Sequence, residues 1–453
     1  MPKTLAHSLF SARRAAHTVF LGLGLGLLPL FTQAATTEKT LSNGLKVIIK
    51  EDHRAPVVMS QIWYKVGSTD ETGETLGISH VLEHMMFKGT LNVPDSEFTR
   101  LSRQFGGRIN ASTFTNYTNY YQVYPKAYFP LALELEADRM RNLQLREQDL
   151  EPEVRVVMEE RRQRTDDSPR ALAFEQFKLL TYPSSPYRQP IIGHMRTLQN
   201  IRLKDVEQWY DTWYQPNNAI LVIVGDVKPA DALLQVEKYF GKIPFKAVPK
   251  RAEVRETKLS RRHMTLETAV QIPNLYMAWN VPSLNTAANP QDAFVLNIIR
   301  SLLDNGISSR LQQRLVREQS ILTSVSVSYD PYNRGDSLFS ISALPHTGIG
   351  FEEAQQAIQK EIELLKIQLI SQTDIERFTT RFIANLTYNQ DDIANQANLI
   401  GNLEVNGLSH RLMDNIAQQY RQIKPADIQR VAQQYFIDSH LSTMYLSPKK
   451  KAL

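Results

Sequence analysis

The spacing of apolar and polar positions divides the chain into two similar runs of elements. In the first run, Gly44-Leu45-Lys46-Val47-Ile48-Ile49 and Val58 to Tyr64 predict strands. Apolar positions three and four apart predict an amphipathic helix over about 77–88. A second helix is expected to start near Asp95 and Ser96, which can cap it, and to end at Gly106-Gly107. Two β-rich segments follow, over 109–115 and 120–124, then helical patterns over 126–142 and 147–164. The run closes with Ala219 to Val224 before Gly225-Asp226, a strand meeting a turn.

The second run repeats this order. Leu275 to Trp279 predicts a strand, 291–303 and 308–317 helices, 322–329 and 338–344 strands, and the rest up to 436 helices. The closing units match best. Asp205 precedes Trp213-Tyr214 and Asp427 precedes Tyr435-Phe436, with nine residues from the aspartate to the last aromatic in both, and a β-like segment after each. Two copies of a unit of roughly 200 residues explain this pattern. The expected organisation is an N-terminal domain over 36–245, a polar linker over 246–263 with Pro249 and many arginines, and a homologous domain over 264–448. The expected fold class is α+β.

The first 34 residues differ from the rest. Lys3, Arg13 and Arg14 supply charge, an apolar run spans Val19 to Phe31, and Thr32-Gln33-Ala34-Ala35 has the small residues of a cleavage site. This predicts a signal peptide over 1–34 and export to the periplasm, with an uncleaved anchor as the alternative. Removing those three charges takes the formal net charge from +5 to +2, so charge gives nucleic-acid binding no support. The tail Lys449-Lys450-Lys451 reads as a solvated end. The chain has no cysteine, which excludes disulfides, thiolate metal sites and cysteine nucleophiles. Any metal must be held by His, Asp or Glu.

The chemistry concentrates in Gly77-Ile78-Ser79-His80-Val81-Leu82-Glu83-His84-Met85-Met86-Phe87-Lys88-Gly89-Thr90. Helical positions four apart share a face, so His80 and His84 can bind one Zn²⁺. Glu83 lies on that face too, placed to contact a water on the metal rather than the metal itself. A catalytic zinc needs a third protein ligand. The 147–164 helix offers Glu151, Glu153, Glu159 and Glu160. Glu153 and Glu160, seven apart, would let one ligate while the other supports the site, but spacing does not choose between Glu159 and Glu160.

These residues resemble the pitrilysin-type metallopeptidase family, and in particular its bacterial two-domain members and the beta subunit of the mitochondrial processing peptidase. The match rests on His80-Val81-Leu82-Glu83-His84, Phe87-Lys88-Gly89-Thr90, and a glutamate 76 positions after the second histidine, which is Glu160. Leu41-Ser42-Asn43-Gly44-Leu45, Val66-Gly67-Ser68, Gly106-Gly107 and Asn110-Ala111-Ser112-Thr113 also match, so the resemblance spans 36–448. It implies one zinc per chain on His80, His84 and Glu160, Glu83 as general base, and Glu153 assisting catalysis. It implies two homologous domains, each a mostly antiparallel sheet covered by helices, which form half of a clamshell around a chamber for unfolded peptides. Asn110 and Ala111 would lie beside the bound peptide.

The sequence also departs from the family. The helix around Phe294 to Ile299 carries no zinc ligands. Self-sufficient members hold substrate with an Arg and a Tyr seven apart. Arg317 supplies the first, but Ser324 stands where the tyrosine is expected. The resemblance therefore implies a heterodimer in which a homologous subunit carries the Arg/Tyr pair. Within a homodimer, Tyr329 or another tyrosine would have to substitute. A non-catalytic structural or peptide-binding subunit is the rival reading. His194 reads as structural.

Overall fold

The computed structural model describes residues 36–95 and 97–449. The predicted signal peptide over 1–34, residue 35, Ser96 and the last four residues lie outside them. The first half contains β1 (Thr36–Thr40), β2 (Lys46–Glu51), β3 (Val57–Tyr64), α1 (Ile78–Met85), α2 (Glu97–Gln104), β4 (Arg108–Thr113) and β5 (Thr118–Pro125). It continues with α3 (Phe129–Asn142), α4 (Glu147–Arg161), α5 (Pro169–Thr181), α6 (Met195–Asn200), α7 (Leu203–Trp213), β6 (Ala219–Gly225) and α8 (Pro229–Phe240). The second half contains β7 (Arg262–Thr268), β8 (Asn274–Val281), α9 (Gln291–Leu303), β9 (Leu322–Ser328) and β10 (Ser337–Pro345). Five helices follow, α10 (Phe351–Ile367), α11 (Gln372–Asn389), α12 (Ile393–Val405), α13 (Leu412–Arg421) and α14 (Pro425–Tyr435), and β11 (Leu441–Pro448) closes the chain.

The two sheets share one topology. The first runs β1-β2-β6-β3-β5-β4 and the second β7-β11-β8-β10-β9. In each, the last strand of the half pairs parallel with an early strand, β6 with β2 and β11 with β7, and all other pairs are antiparallel. β1 is the one addition. The closing units agree down to their caps: Asp205 and Asp427 accept the backbone N–H of Arg202 and Lys424 at 3.0 and 2.9 Å. The fold is therefore α+β with two homologous halves.

The structure adjusts several predicted elements. The segment predicted as the helix 308–317 is mostly a π-helix, Gln312–Glu318, and α4 likewise runs into a π-turn, Arg162–Asp166. β7 begins at Arg262, two residues inside the predicted linker, because it needs only one half-buried face. β1 has no apolar residue and owes its conformation to pairing with β2.

The halves are joined by exchanged helices. α12, from the second half, packs Ala397, Ile400 and Val405 on Met59, Trp63 and Val222 of the first sheet. α5, from the first half, packs Ala173 and Phe177 on Tyr276, Ala278 and Met444 of the second sheet. Each sheet buries its other face under helices of its own half. Burying one side chain such as Phe177 contributes about 1.5–3 kcal/mol, so neither exchanged helix is dispensable. Gly401 of α12 sits where a Cβ would fall 2.1 Å from the Trp63 ring, so only glycine allows this approach.

Candidate metal and peptidase site

The site is built on α1. Ile78, Val81, Leu82 and Met85 are buried at helical spacing and fix this helix to the core. His80, Glu83 and His84 therefore fall on the remaining face. The helix starts at Gly77, whose φ of +100° and close approach to the Ile192 carbonyl exclude a side chain. Glu71, fully buried, accepts the N–H groups of Gly77 at 2.6 Å and Ser79 at 2.9 Å. It supplies the acceptors that the first turn lacks. Burial pushes its carboxyl up to about 7 against those two bonds. Sequence reading missed Glu71, because a cap six residues before the helix follows no local capping pattern.

α4 brings Glu160 to the two histidines. Glu160 Oε2 lies 3.9 Å from His80 Nε2 and 3.7 Å from His84 Nε2. One ligand atom from each of the three residues lies within 4.8 Å of the others. Tetrahedral zinc with bonds near 2.0–2.1 Å holds its ligand atoms roughly 3.3 Å apart, so small side-chain movements close the set. The donor chemistry, two imidazoles and one carboxylate, is that of a catalytic zinc. Burial holds His80 down to about 3, so it is a neutral imidazole at physiological pH, as a metal ligand must be. Its buried Nδ1 has no hydrogen-bond partner among the described residues. Glu159, the alternative third ligand, is exposed and engages Arg162 and Gln163 instead.

Glu153 stands behind His84 and does not line the cleft. Its Oε2 meets His84 Nδ1 at 3.0 Å and its Oε1 meets Lys88 Nζ. The His84 bond holds the Glu153 carboxyl down to about 2, against burial. Burial pulls His84 down, but the Glu153 bond and the charges of Glu83, Glu153 and Glu160 outweigh it and raise its pKa. Glu83 points to the cleft, where the Thr113 hydroxyl donates to its Oε2 at 2.6 Å. Burial raises the Glu83 carboxyl above its ordinary range.

A cleft of about 770 Å³ gathers His80, Glu83, His84 and Glu160 with residues 110–114 of the β4 region. β4 is the outer strand of its sheet and, among the described residues, forms a ladder with β5 alone. On its other edge the Ala111 N–H donates to Asn110 Oδ1 at 2.9 Å and the Ala111 carbonyl accepts from the Ser112 hydroxyl at 2.7 Å, local bonds that a substrate strand could displace. Asn110 and Ala111 are thus in the cleft with His80, His84 and Glu160. Arg317 is not; it lines a separate cleft with Gly306, Gln313 and Arg381. Ser324 lies exposed on the outer strand β9. Tyr329 is buried in the second half's core and donates its hydroxyl to the Pro282 carbonyl at 2.7 Å. Its hydroxyl is therefore engaged within the second half rather than offered to the cleft. His194 precedes α6 and is not among the residues lining this cleft.

Sequence reading also missed the residues that hold this cleft together. Arg164 in the π-turn pairs with Glu160 Oε1 at 2.5 Å. Arg161, buried, donates to both Glu175 oxygens at 2.7 and 2.9 Å and ties α4 to α5. Single-turn π segments often mark functional sites, but only the backbone reveals them.

Comparisons with known proteins identify the family. Residues 46–194 match the family model described as Insulinase (Peptidase family M16), and residues 200–381 match the Peptidase M16 inactive domain. The chain is 32% identical over 419 residues to the zinc protease PqqE of Helicobacter pylori, covering 90% of this chain and 92% of that protein. It is 24% identical over 413 residues to the mitochondrial-processing peptidase subunit beta of Lentinula edodes, covering 89% and 88%. The crystal structure of a protease from Helicobacter pylori superposes with a TM-score of 0.84 at 30% identity, over 92% of this chain and all of that one. The chain belongs to peptidase family M16, with the fold of an M16 half-clamshell and relatives that are zinc proteases.

Proposed function

We propose that this chain is a zinc-dependent endopeptidase acting on unfolded peptides in an enclosed chamber. The observation that carries the reading is the convergence of His80, His84 and Glu160, with Glu83 beside them in the same cleft. Those three residues would hold one zinc per chain, and Glu153 would fix the orientation of His84. Zinc, when bound, supplies Lewis acidity that polarises a carbonyl and acidifies water. Glu83 takes the proton of the attacking water as its oxygen adds to the scissile carbonyl, and returns it to the amine as the C–N bond breaks. Thr113 holds one Glu83 oxygen, leaving the other for the water.

Substrate main chain would add to the outer edge of β4 beside Asn110 and Ala111, replacing the side-chain bonds of Asn110 and Ser112 to Ala111. Hydrogen bonds to backbone suit a peptidase with limited sequence selectivity. Arg317 lines its own cleft and has no tyrosine at 324, so a homologous partner bearing the Arg/Tyr pair would complete the site. The leader predicts action in the periplasm. Among the described residues, no helix is long and apolar enough to cross a membrane.

The test is metal analysis and peptide digestion by wild type and Glu83→Gln, each alone and with a homologous subunit. Zinc near one per chain, cleavage by wild type and its loss in a zinc-loaded Glu83→Gln are expected. Unchanged cleavage by Glu83→Gln would remove that residue from the mechanism. Full activity of the chain alone would remove the need for a partner.

A further inference from the structure

The wall of the cleft formed by α5 has a chemistry that the hydrolytic step does not use. The helix carries two stripes. Ala173 and Phe177 are buried against the second sheet. Ala171, Phe174, Glu175 and Lys178, at spacings of three, four and seven, line the cleft. Phe174 is 51% exposed there, an aromatic ring offered to solvent from a helix held firmly on its other side. Pro190, Ile191 and Ile192 extend the same apolar lining.

The charges around the cleft are mostly committed. Arg164 is paired with Glu160, and Glu175 accepts two bonds from Arg161, which also pairs with Asp166. Lys178 is different. Its ammonium donates only to the Gln189 carbonyl, at 3.4 Å, and has no carboxylate within ion-pair distance among the described residues. Burial lowers its pKa, with the nearby charge of Glu175 opposing. A half-buried cation with one weak partner gains most from an anion brought by a ligand.

Resting on the peptidase reading, we infer that α5 is the specificity wall of the cleft. Phe174 packs a bulky apolar side chain of the peptide, and Lys178 pairs with a carboxylate beside it. Favoured substrates are thus peptides that combine an apolar or aromatic residue with a nearby acidic group, either an Asp or Glu side chain or the free C-terminus. Basic peptides are disfavoured by the same lysine.

The experiment measures kcat/KM of the zinc-loaded protein, with its partner if one is required, on matched peptides. They differ at one position as Glu, Gln or Lys, at a second as Phe or Ala, and at the C-terminus as free acid or amide. Binding to Glu83→Gln by fluorescence anisotropy gives Kd for the same set. Wild type should prefer Glu over Lys and Phe over Ala by about tenfold or more, chiefly through KM and Kd. Lys178→Glu should reverse the charge preference, Lys178→Arg should retain it, and Phe174→Ala should erase the Phe preference alone. A preference for the free acid over the amide, with Glu and Gln equal, assigns the carboxylate to the chain terminus. The inverse assigns it to a side chain. Cleavage that is indifferent to charge, or a preference unchanged in Lys178→Glu, overturns the assignment and leaves the peptidase intact. No cleavage of any peptide by wild type, with zinc bound and partner present, sinks both.

Discussion

Glu153→Gln separates the support of a ligand from the ligand itself. In the wild type, one Glu153 oxygen faces His84 Nδ1 at 3.0 Å and the other faces Lys88. A glutamate held at about 2 instead of 4.5 is stabilised in its ionised form by roughly 3 kcal/mol. The glutamine oxygen can still accept from His84, which retains about 1 kcal/mol. Its amide group then faces the Lys88 ammonium, donor against donor. The metal-free variant should therefore be about 2 kcal/mol less stable at pH 7. The sign with pH is definite. A depressed carboxyl stabilises the fold above its unfolded pKa, and that contribution is lost as pH falls from near 5 toward 2. The gap between wild type and variant should accordingly shrink over that window, measured by urea unfolding of the metal-free proteins. Zinc affinity, measured by competition with a chromophoric chelator, should fall ten- to a hundredfold, because the imidazole loses the anion that orients it. Excess zinc should restore much of the cleavage. Identical metal-free stability at pH 7 together with unchanged zinc affinity would refute the assignment of Glu153 as the residue that positions His84.

Other perturbations test the frame around the site. Glu71→Ala leaves the N–H groups of Gly77 and Ser79 without their acceptors at the start of α1, at a cost of about 1–3 kcal/mol each unless water enters. Urea unfolding should show the loss, and zinc affinity should weaken with it. Gly401→Ala drives a Cβ into the Trp63 ring, so overpacking of about 1–3 kcal/mol should exceed the roughly 1 kcal/mol gained in helix propensity. A lower melting temperature and altered tryptophan fluorescence would report it.

The parts of this molecule that were legible in the sequence are those written in local periodicity. His80, Glu83 and His84 could be placed on one helix face because Ile78, Val81, Leu82 and Met85 define the opposite one. The strands β3 and β6 are apolar enough to be read directly, because both of their faces are covered. Glu160 was not separable from Glu159 by spacing, since what distinguishes them is the direction each takes from α4. Resemblance chose Glu160, and the packing of α4 against α1 gives the physical reason. β1 and β7 escaped notice because they lie on sheet edges, where pairing rather than hydrophobicity determines the strand. The roles of Glu71, Arg161 and α5 depend on contacts with distant segments. A stretch such as Ala171 to Lys178 reads as an ordinary amphipathic helix until both of its neighbours are known.

The second half helps to shape the cleft of the first. α5 belongs to the first half in sequence, but Ala173 and Phe177 are held by the second sheet. Through Arg161 and Glu175 the same helix is bound to the end of α4, one residue beyond Glu160. The distance from Glu160 to the opposite wall of the cleft is thus set partly by the second half. α12 works in the reverse direction, covering the face of the first sheet opposite α1. Its removal would bare Met59, Trp63 and Val222, which α12 alone covers among the described helices, and destabilise the sheet whose outer strand carries Thr113, the partner of Glu83. Two domains linked only by a flexible segment would let the cleft width fluctuate freely. Exchanged helices make it a property of one packed body, and the preorganisation that the proposed hydrolysis would require follows from that packing rather than from His80, His84 and Glu160 alone.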